Sequence, residues 1–204
     1  MIYKNKLKEK FLKIISLPKK KSDNYFRVKR IIEFKNFNFR KEKNLNLLDI
    51  GSGLGVFPYK IKKNGINCTS VDPDINSVKH IQKNLKINAI HGNYNYLNFN
   101  KKFNIVTLNK VLEHVSNPVK MLKKVKKNLK NLNIVYIEVP DAEKASKIGK
   151  KREEFFVDHL HVFSKRSLEL MCIKSGFKIL KIQRLKEASG KYTLFCFIKN
   201  NIKN

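Results

Sequence analysis

The chain has 204 residues, 42% of them hydrophobic, which suffices for one α/β domain with a complete core. It carries 45 basic and 16 acidic residues, a formal charge of +29 at pH 7. No apolar run reaches the roughly 18 residues that cross a bilayer, and lysines interrupt the N-terminus, so we expect no transmembrane segment and a cytoplasmic location. The cysteines at 68, 172 and 196 lack the paired spacing of a disulfide framework or zinc site and are expected in the core.

The positive charge raises the question of a nucleic-acid partner, because lysines gain free energy by displacing counterions from phosphate. Two observations argue against it. Only six of the 45 basic residues are arginine, which is the better phosphate ligand. Ten of the 16 acidic residues fall in loops expected around the site described below, where a polyanion would be repelled. The composition therefore disfavours nucleic acid.

Hydrophobic periodicity divides the chain into alternating helices and strands. A weakly ordered basic arm is expected first, followed by a helix over 24–39. Further strands and helices are predicted in the order strand 45–50, helix 54–63, strand 66–72, helix 75–86, strand 87–91, strand 103–108, helix 117–130 and strand 133–139. This alternation indicates a parallel sheet. The last third predicts a helix over 164–175 and strands over 177–186 and 191–198, which a tight Ser-Gly turn joins into a hairpin.

The most informative motif is LLDIGSGLG over residues 47–55, followed by TSVDPD around Asp72. Apolar residues lead through a buried strand to Asp49, and the three glycines permit a tight turn before a helix. Asp72 would end the neighbouring strand, where a carboxylate reaches the ribose hydroxyls of a nucleoside cofactor. The dinucleotide pattern GxGxxG is absent, because its third glycine position is Val56.

This motif resembles motif I of the class I S-adenosylmethionine-dependent methyltransferases, which has GxGxG with an acidic residue two positions ahead. The resemblance implies S-adenosyl-L-methionine as the cofactor and methyl transfer as the reaction. It also implies that Asp72 holds the ribose. The residues that it places along the methionine part are Asp49, Gly51, Ser52, Gly53 and Gly55.

Two later segments extend the cofactor site. After the third strand, GNYNY supplies Asn93 and Tyr94, where a carboxamide could read the adenine edge and an aromatic ring could cover its face. The same string also suits a plain asparagine-rich turn. After the fourth strand, NKVLEHVSNP resembles the family segment beside the methionine moiety. That resemblance implies that Asn109, Lys110 and Val111 contact the cofactor largely through their backbone.

Histidines supply the candidates for a catalytic base. Glu113 and His114 follow directly in the LEHV segment and would face the site or support it. His159 and His161 lie two residues apart in EEFFVDHLHVFSKRSL and would point to one side of an extended chain. The three histidines could deprotonate an acceptor, and each also suits a structural role. Because no third ligand accompanies the pair, no metal site is predicted.

The same segment and the late EASGKYTL resemble bacterial small-molecule methyltransferases, including many encoded among genes for sugar and surface-polysaccharide biosynthesis. The resemblance thus covers nearly the whole chain and implies a small-molecule acceptor such as a sugar precursor. One departure is the usual Pro-Gly-Gly turn before the fifth strand, whose role is predicted for Asn131 and Asn133 in left-handed conformations.

The predicted fold class is α/β: a doubly wound, Rossmann-like, seven-stranded and mostly parallel sheet with an antiparallel C-terminal hairpin and helices on both faces. Residues 1–44 would form the arm and a helix packing on the core, and residues 45–204 a single methyltransferase domain. Two alternatives remain open. An RNA or protein methyltransferase would recruit its polymer through residues 1–43, which hold 15 basic and four acidic residues. A non-catalytic partner would keep the cofactor site alone.

Overall fold

The computed structural model describes residues 2–40, 42, 44–149 and 152–200. The chain divides into two compact units, Met1–Asn98 and Phe99–Asn204. The first unit contains helices α1 Ile2–Ile15, α2 Asp23–Asn38, α3 Val56–Lys63 and α4 Ile75–Leu85, and strands β1 Asn46–Ile50, β2 Asn67–Asp72 and β3 Asn88–His91. The second contains strands β4 Phe103–Asn109, β5 Leu129–Pro140, β6 Phe177–Lys186 and β7 Tyr192–Asn200, and helices α5 Pro118–Lys127, α6 Ala142–Ser146 and α7 Lys165–Lys174.

In the first unit, β1 pairs with β2 and β2 with β3, both in parallel. One core cluster of this unit lies where α4 covers the strands. The buried apolar residues of this cluster are Phe11, Val78, Ile81, Leu85, Ile87 and Ala89. The helix α4 is amphipathic, with apolar residues three and four positions apart on one face, which explains why it can cover the sheet with that face and leave its lysines outside.

The N-terminal segment differs from the weakly ordered arm that the sequence predicts. It forms α1, because Phe11 provides an apolar anchor in an otherwise lysine-rich stretch. Phe11 is 5% exposed, and its ring lies 5.3 Å from the ring of Tyr59 and 5.4 Å from that of His80. Residues 1, 41 and 43 of the predicted N-terminal region 1–44 lie outside the described residues.

In the second unit, β4 and β5 are parallel, whereas β7 pairs antiparallel with both β5 and β6. Strand β5 begins at Leu129, four residues earlier than predicted. Asn131 and Asn133 therefore lie within a strand, and neither has the left-handed conformation expected of a turn. The Asn133 side chain donates to the carbonyl oxygens of Lys130 and Asn131 and accepts the N–H of Asn200, which holds the early part of the strand in place.

The seven strands form one sheet in the order β3-β2-β1-β4-β5-β7-β6. Together with the parallel β1–β2, β2–β3 and β4–β5 pairs and the antiparallel β6–β7 hairpin, this order confirms the predicted α/β class and its Rossmann-like topology. Among the helices of the described part of the chain, none combines the length and apolar character needed to cross a membrane.

The cysteines are largely where the sequence places them. Cys172 and Cys196 are fully buried, with sulfur atoms 3.9 Å apart, and both are free thiols. The hydrogen bond with Cys172, together with burial, holds the pKa of the Cys196 thiol well above its usual value. Cys68 is only half-buried. All three therefore behave as packing residues rather than as ligands or nucleophiles.

Candidate functional site

The glycine turn, residues 51–55, joins the end of β1 to the start of α3 in the first unit. The N–H groups of Gly51 and Ser52 both donate to the carbonyl oxygen of Val71, at 2.8 and 3.2 Å, and fasten the turn to β2. The Ser52 hydroxyl donates to the carbonyl oxygen of Asp49, whose side chain is buried at the end of β1. The predicted motif is therefore a rigid turn at the carboxyl ends of two parallel strands.

The glycines of this turn serve two different purposes. All have left-handed φ angles, 73° at Gly51, 50° at Gly53 and 73° at Gly55, which side chains rarely adopt. A Cβ atom at Gly53 would meet nothing within 4 Å, so the space beside it is open to a ligand. A Cβ atom at Gly55 would lie 2.7 Å from atoms of Ile81 and Leu85. Gly55 thus permits close packing of the turn on α4.

Asp72 connects the turn to the loop after β2. One carboxylate oxygen accepts the N–H of Gly53 at 2.7 Å, and the other accepts the N–H of Asp74 at 2.9 Å. The residue is 7% exposed. A carboxylate offers about four acceptor positions, so this group, already oriented by two backbone donors, retains capacity for the two hydroxyls of a ribose. The open space at Gly53 and the oriented Asp72 both fit a nucleoside cofactor.

Asn93 and Tyr94 begin a short 3₁₀ turn after β3. The Asn93 side-chain oxygen accepts the N–H of Asn95 at 3.0 Å, which is the asparagine-turn interpretation that the sequence left open. Tyr94 is 2% exposed, and burial raises the pKa of its hydroxyl well above the usual value. The Tyr94 ring is therefore part of the core in this structure, and its contact with an adenine stays a prediction.

In the second unit, Lys110 follows β4 with a left-handed φ of 59°, one of two positive values among the described non-glycine residues. Its N–H donates to the carbonyl oxygen of Glu138 at 2.8 Å. Its ammonium donates to the Thr193 hydroxyl at 2.5 Å and lies 3.3 Å from a carboxylate oxygen of Glu187. The side chain thus secures a strained backbone at the position predicted to pass the cofactor.

The two neighbours of Lys110 in the chain lie at the end of β4 and at the start of the next turn. Asn109 is the last residue of β4, and Val111 precedes a 3₁₀ turn over Leu112–His114. The carbonyl oxygen of Val111 accepts the N–H of His114 at 3.0 Å. This turn gives the LEHV segment its shape and places Glu113 among its buried residues.

Glu113 is the most unusual polar residue of the second unit. It is 1% exposed, and neither of its carboxylate oxygens has a hydrogen-bond partner among the described residues. Burial raises the pKa of this carboxyl group, and the nearby charges of Lys110, His114 and His159 oppose that effect only in part. A buried carboxylate without donors is costly, so this group is a strong candidate for a functional role.

Two histidine rings lie beside Glu113. The rings of His114 and His159 pack edge to face with centroids 4.8 Å apart. The Nδ1 atom of His114 lies 3.1 Å from the carbonyl oxygen of Asp158, and that of His159 lies 3.1 Å from the carbonyl oxygen of Glu154. A carbonyl oxygen only accepts, so both Nδ1 atoms carry hydrogen, and in its neutral form each ring presents an Nε2 lone pair.

The pairing of His159 with His161 stays a prediction. No strand is assigned between them, but both are half-buried, while Leu160 and Val162 are exposed, which is the alternation that the sequence analysis used. The backbone N–H of His161 donates to the carbonyl oxygen of Glu113, while its ring lies 6.3 Å from that of Phe163. His159 joins His114 and Glu113, whose donor atoms all lie within 4.8 Å of one another. This group supplies the third ligand that the sequence did not place.

A cavity of about 260 Å³ opens at these rings, and we call it the histidine pocket. Its size is near the lower end of small-molecule sites. Its lining residues all belong to the second unit and are Lys110, Glu113, His114, Pro140, Glu154, Phe156, Asp158, His159, Lys191 and Tyr192. The pocket combines apolar walls with titratable groups of both signs.

An ion pair holds the wall that carries His159. The Arg152 guanidinium forms two hydrogen bonds with the Glu154 carboxylate, at 3.1 and 2.8 Å, and lies 5.1 Å from the ring centre of Tyr192. Glu154 also accepts the N–H of Tyr192 at 2.8 Å. Burial opposes ionisation of Glu154, but these donors outweigh it and keep its pKa below the usual value. The segment before His159 is thereby fixed to the C-terminal hairpin.

The sequence places Glu154 in a loop around the site, as the structure does, but it does not single out Lys191 and Tyr192 as residues of this pocket. Glu154 and Tyr192 are 38 positions apart, and no local pattern signals their contact. The similarity of EASGKYTL to the methyltransferase tail was the available signal, because this string contains both of the C-terminal lining residues.

Comparison with known proteins gives a consistent result. A family model described as a methyltransferase domain matches residues 24–182. A ubiquinone biosynthesis O-methyltransferase from Rickettsia prowazekii is 29% identical over 126 residues, which are 59% of this chain and 50% of that protein. The chain thus spans about half the length of the curated relatives it matches.

Solved structures share the fold. An S-adenosylmethionine-dependent methyltransferase from Clostridium acetobutylicum superposes with a TM-score of 0.71 at 14% identity, covering 96% of this chain and 98% of that one. The magnesium protoporphyrin IX methyltransferase from Synechocystis with bound SAH gives 0.68 at 13% identity, covering 86% and 82%. At such identities the likeness concerns the fold alone.

Proposed function

Since the chain belongs to the methyltransferase domain family, we propose that it transfers a methyl group from S-adenosylmethionine to a hydroxyl oxygen of a small molecule. The observation that carries the proposal is the Asp72 carboxylate, which the N–H groups of Gly53 and Asp74 orient beside an open glycine turn. When bound, the cofactor supplies a methyl group activated by its positively charged sulfur.

The glycine turn and Asp72 bind and orient the cofactor in this proposal. Asp72 accepts the ribose hydroxyls, and open space at Gly53 allows the ligand to approach the backbone. Lys110 keeps the backbone after β4 in its left-handed conformation through the contacts with Glu187 and Thr193. Fixed positions matter most for this chemistry, because holding two reactants in a productive geometry contributes about 7 to 11 kcal/mol.

The histidine pocket receives the acceptor. Its volume of about 260 Å³ suits a small group, and the name of the Rickettsia relatives supports oxygen as the methylated atom. The Nε2 lone pairs of His114 and His159 are available either to take the hydroxyl proton or to bind a cation that holds its oxygen. His161 contributes to this wall mainly through its backbone bond to Glu113.

Two acceptor classes follow from different observations. The resemblance of the 153–168 segment supports a sugar or surface-polysaccharide precursor. The curated relatives support a hydroxylated precursor in ubiquinone biosynthesis. Both present a hydroxyl group to the pocket, so the same residues serve either one.

The test is transfer of a labelled methyl group from S-adenosylmethionine to a panel of hydroxylated sugars, quinone precursors, RNA and protein. We expect label in a small molecule, and at least a tenfold lower kcat for His159→Gln. His91→Gln, which changes an exposed histidine of the first unit, is the matched control. Label in RNA or protein, with loss on replacing the exposed Lys8 and Lys10 by Glu, would favour a polymer acceptor instead.

A further inference from the structure

We propose that Glu113, His114 and His159 bind a first-row divalent cation such as Zn²⁺ in the histidine pocket, and that this cation holds the acceptor hydroxyl. The inference rests on the proposed function, since it assigns the means by which the same pocket takes its acceptor. It adds a metal site that the sequence prediction did not include.

The donor set and its spacing support this site. One donor atom from each residue lies within 4.8 Å of the other two. Bonds of about 2.0 to 2.2 Å from a tetrahedral ion to nitrogen or oxygen place the ligand atoms roughly 3.3 to 3.6 Å apart, so side-chain rotations that bring the donors closer complete the site. Two imidazoles and one carboxylate are a ligand combination that binds zinc and other first-row ions in catalytic sites.

Glu113 provides the independent observation. Its side chain is buried, lines the pocket, and has no hydrogen-bond partner for either oxygen within the described parts of the chain. Hydrogen bonds or a counter-ion normally compensate such a group. Lys110 does not fill this role, because its ammonium is occupied by Thr193 and Glu187. A cation between Glu113 and the histidines would supply the missing partner.

The histidines are oriented as metal ligands usually are. Each directs Nδ1 to a backbone carbonyl oxygen, which leaves Nε2 as the free donor. His114 has in addition a carboxylate oxygen of Asp158 3.5 Å from Nδ1. A carboxylate or carbonyl behind the ring fixes its orientation and raises its basicity as a ligand. Asp158 is therefore a positioning residue in this account.

Three protein ligands leave at least one coordination position open towards the pocket. An acceptor hydroxyl that binds there loses its proton more readily, because the cation stabilises the resulting oxygen anion. The proton passes to solvent, and the oxygen attacks the methyl carbon of S-adenosylmethionine with the electron pair that it retains. The O–CH3 bond forms as the S–CH3 bond breaks, and the sulfur leaves as a neutral thioether. The half-buried and exposed positions of His159 and His114 leave this face of the site accessible.

The experiment is calorimetric titration of ZnCl₂ into the full chain after treatment with a chelator. We expect one ion per chain with micromolar or tighter affinity, and at least tenfold weaker binding for both Glu113→Gln and His159→Gln. Asp158→Asn should weaken binding several-fold, whereas His91→Gln should bind as the unchanged protein does. Substitution with Co²⁺ should give visible absorption bands of a low-coordinate nitrogen and oxygen site, and these bands should be lost in Glu113→Gln.

Absence of Zn²⁺ binding, or equal binding by Glu113→Gln and the unchanged protein, would overturn the metal site. Circular dichroism of each variant identifies a failure to fold, and His159→Gln then provides the second test. Methyl transfer at full rate in excess chelator would also overturn the site while leaving the proposed function intact. Conversely, Zn²⁺ binding that depends on Glu113 supports the site even if no panel acceptor is methylated.

Discussion

The glycine turn and the histidine pocket are built by opposite means. In the turn, backbone N–H groups and one carboxylate come from residues close to two strand ends, and glycine conformations determine the shape. In the histidine pocket, side chains from the LEHV turn, the segment around 152–159 and the C-terminal hairpin meet through ion pairs and ring contacts. A site made of local backbone geometry has a sequence signature, whereas one made of distant side chains has little.

This contrast predicts that the pocket depends more on charge pairing. Lys110→Met removes the ammonium that lies 3.3 Å from Glu187, whose side chain is 3% exposed. We expect a loss of about 3 to 5 kcal/mol in unfolding free energy, since removing one partner of a buried ion pair is costly. Urea unfolding measures it, and Lys110→Met with Glu187→Gln should recover most of the loss. If the double variant is no more stable than the single one, Glu187 does not depend on this pair.

The turn, by contrast, should depend on backbone shape and close packing. Gly55→Ala should cost about 2 to 4 kcal/mol, because its Cβ meets buried Ile81 and Leu85 at 2.7 Å and φ is 73°. Gly53→Ala meets open space and should cost only about 1 to 2 kcal/mol, the strain of its φ. Equal losses in urea unfolding would contradict the separate roles assigned to the two glycines.

Substitutions beside the glycine turn and in the histidine pocket should also differ in their effect on the affinity for S-adenosylmethionine. Asp72→Asn retains the side-chain shape but removes the charge, and we expect affinity for S-adenosylmethionine to fall by about 1.5 to 3 kcal/mol, the value of hydrogen bonds to a charged group. Asp158→Asn in the pocket is the control and should leave that affinity unchanged. Calorimetry distinguishes the two, and equal affinities for Asp72→Asn and the unchanged protein would remove the ribose assignment.

The smallest effect concerns Asp74, which caps α4 near the turn. The Ser77 hydroxyl and the N–H groups of Asn76 and Ser77 donate to its carboxylate and lower its pKa below the usual 3.8. This stabilisation is complete well above pH 4 and is lost as pH falls through the lowered folded pKa. Asp74→Ala should cost about 1 kcal/mol at pH 7 and almost nothing near pH 2. A pH-independent difference in unfolding free energy would contradict the capping role.

The sequence predicts the fold well, because hydrophobic periodicity and the residue types of turns depend on neighbouring residues in the chain. Strands β1 and β2, the glycine turn and the C-terminal hairpin lie within a residue or two of their predicted positions. Helix α1 was missed, since its anchor Phe11 is one aromatic residue among lysines and acts only through tertiary contacts. The early start of β5 was missed for a similar reason, because Asn133 stabilises it by a bond to Asn200.

The sequence predicts the glycine turn of the candidate site better than it predicts the histidine pocket. Asp72 lies beside the glycine turn as the motif indicates, but Tyr94 is buried and Gly55 packs on α4. The grouping of His114 with His159 joins segments more than 40 residues apart, and no local pattern in the sequence signals it. Alternation along a strand could not predict it, because the chain around His159 is not a strand.

The most direct test of the account is calorimetric titration of S-adenosylmethionine into the unchanged protein, with NADH as the comparison ligand, at low and high salt. We expect one molecule bound per chain with micromolar affinity, little dependence on salt, and no comparable binding of NADH. Binding of NADH in preference, or no binding of S-adenosylmethionine, would contradict the assignment of the glycine turn and Asp72 to this cofactor.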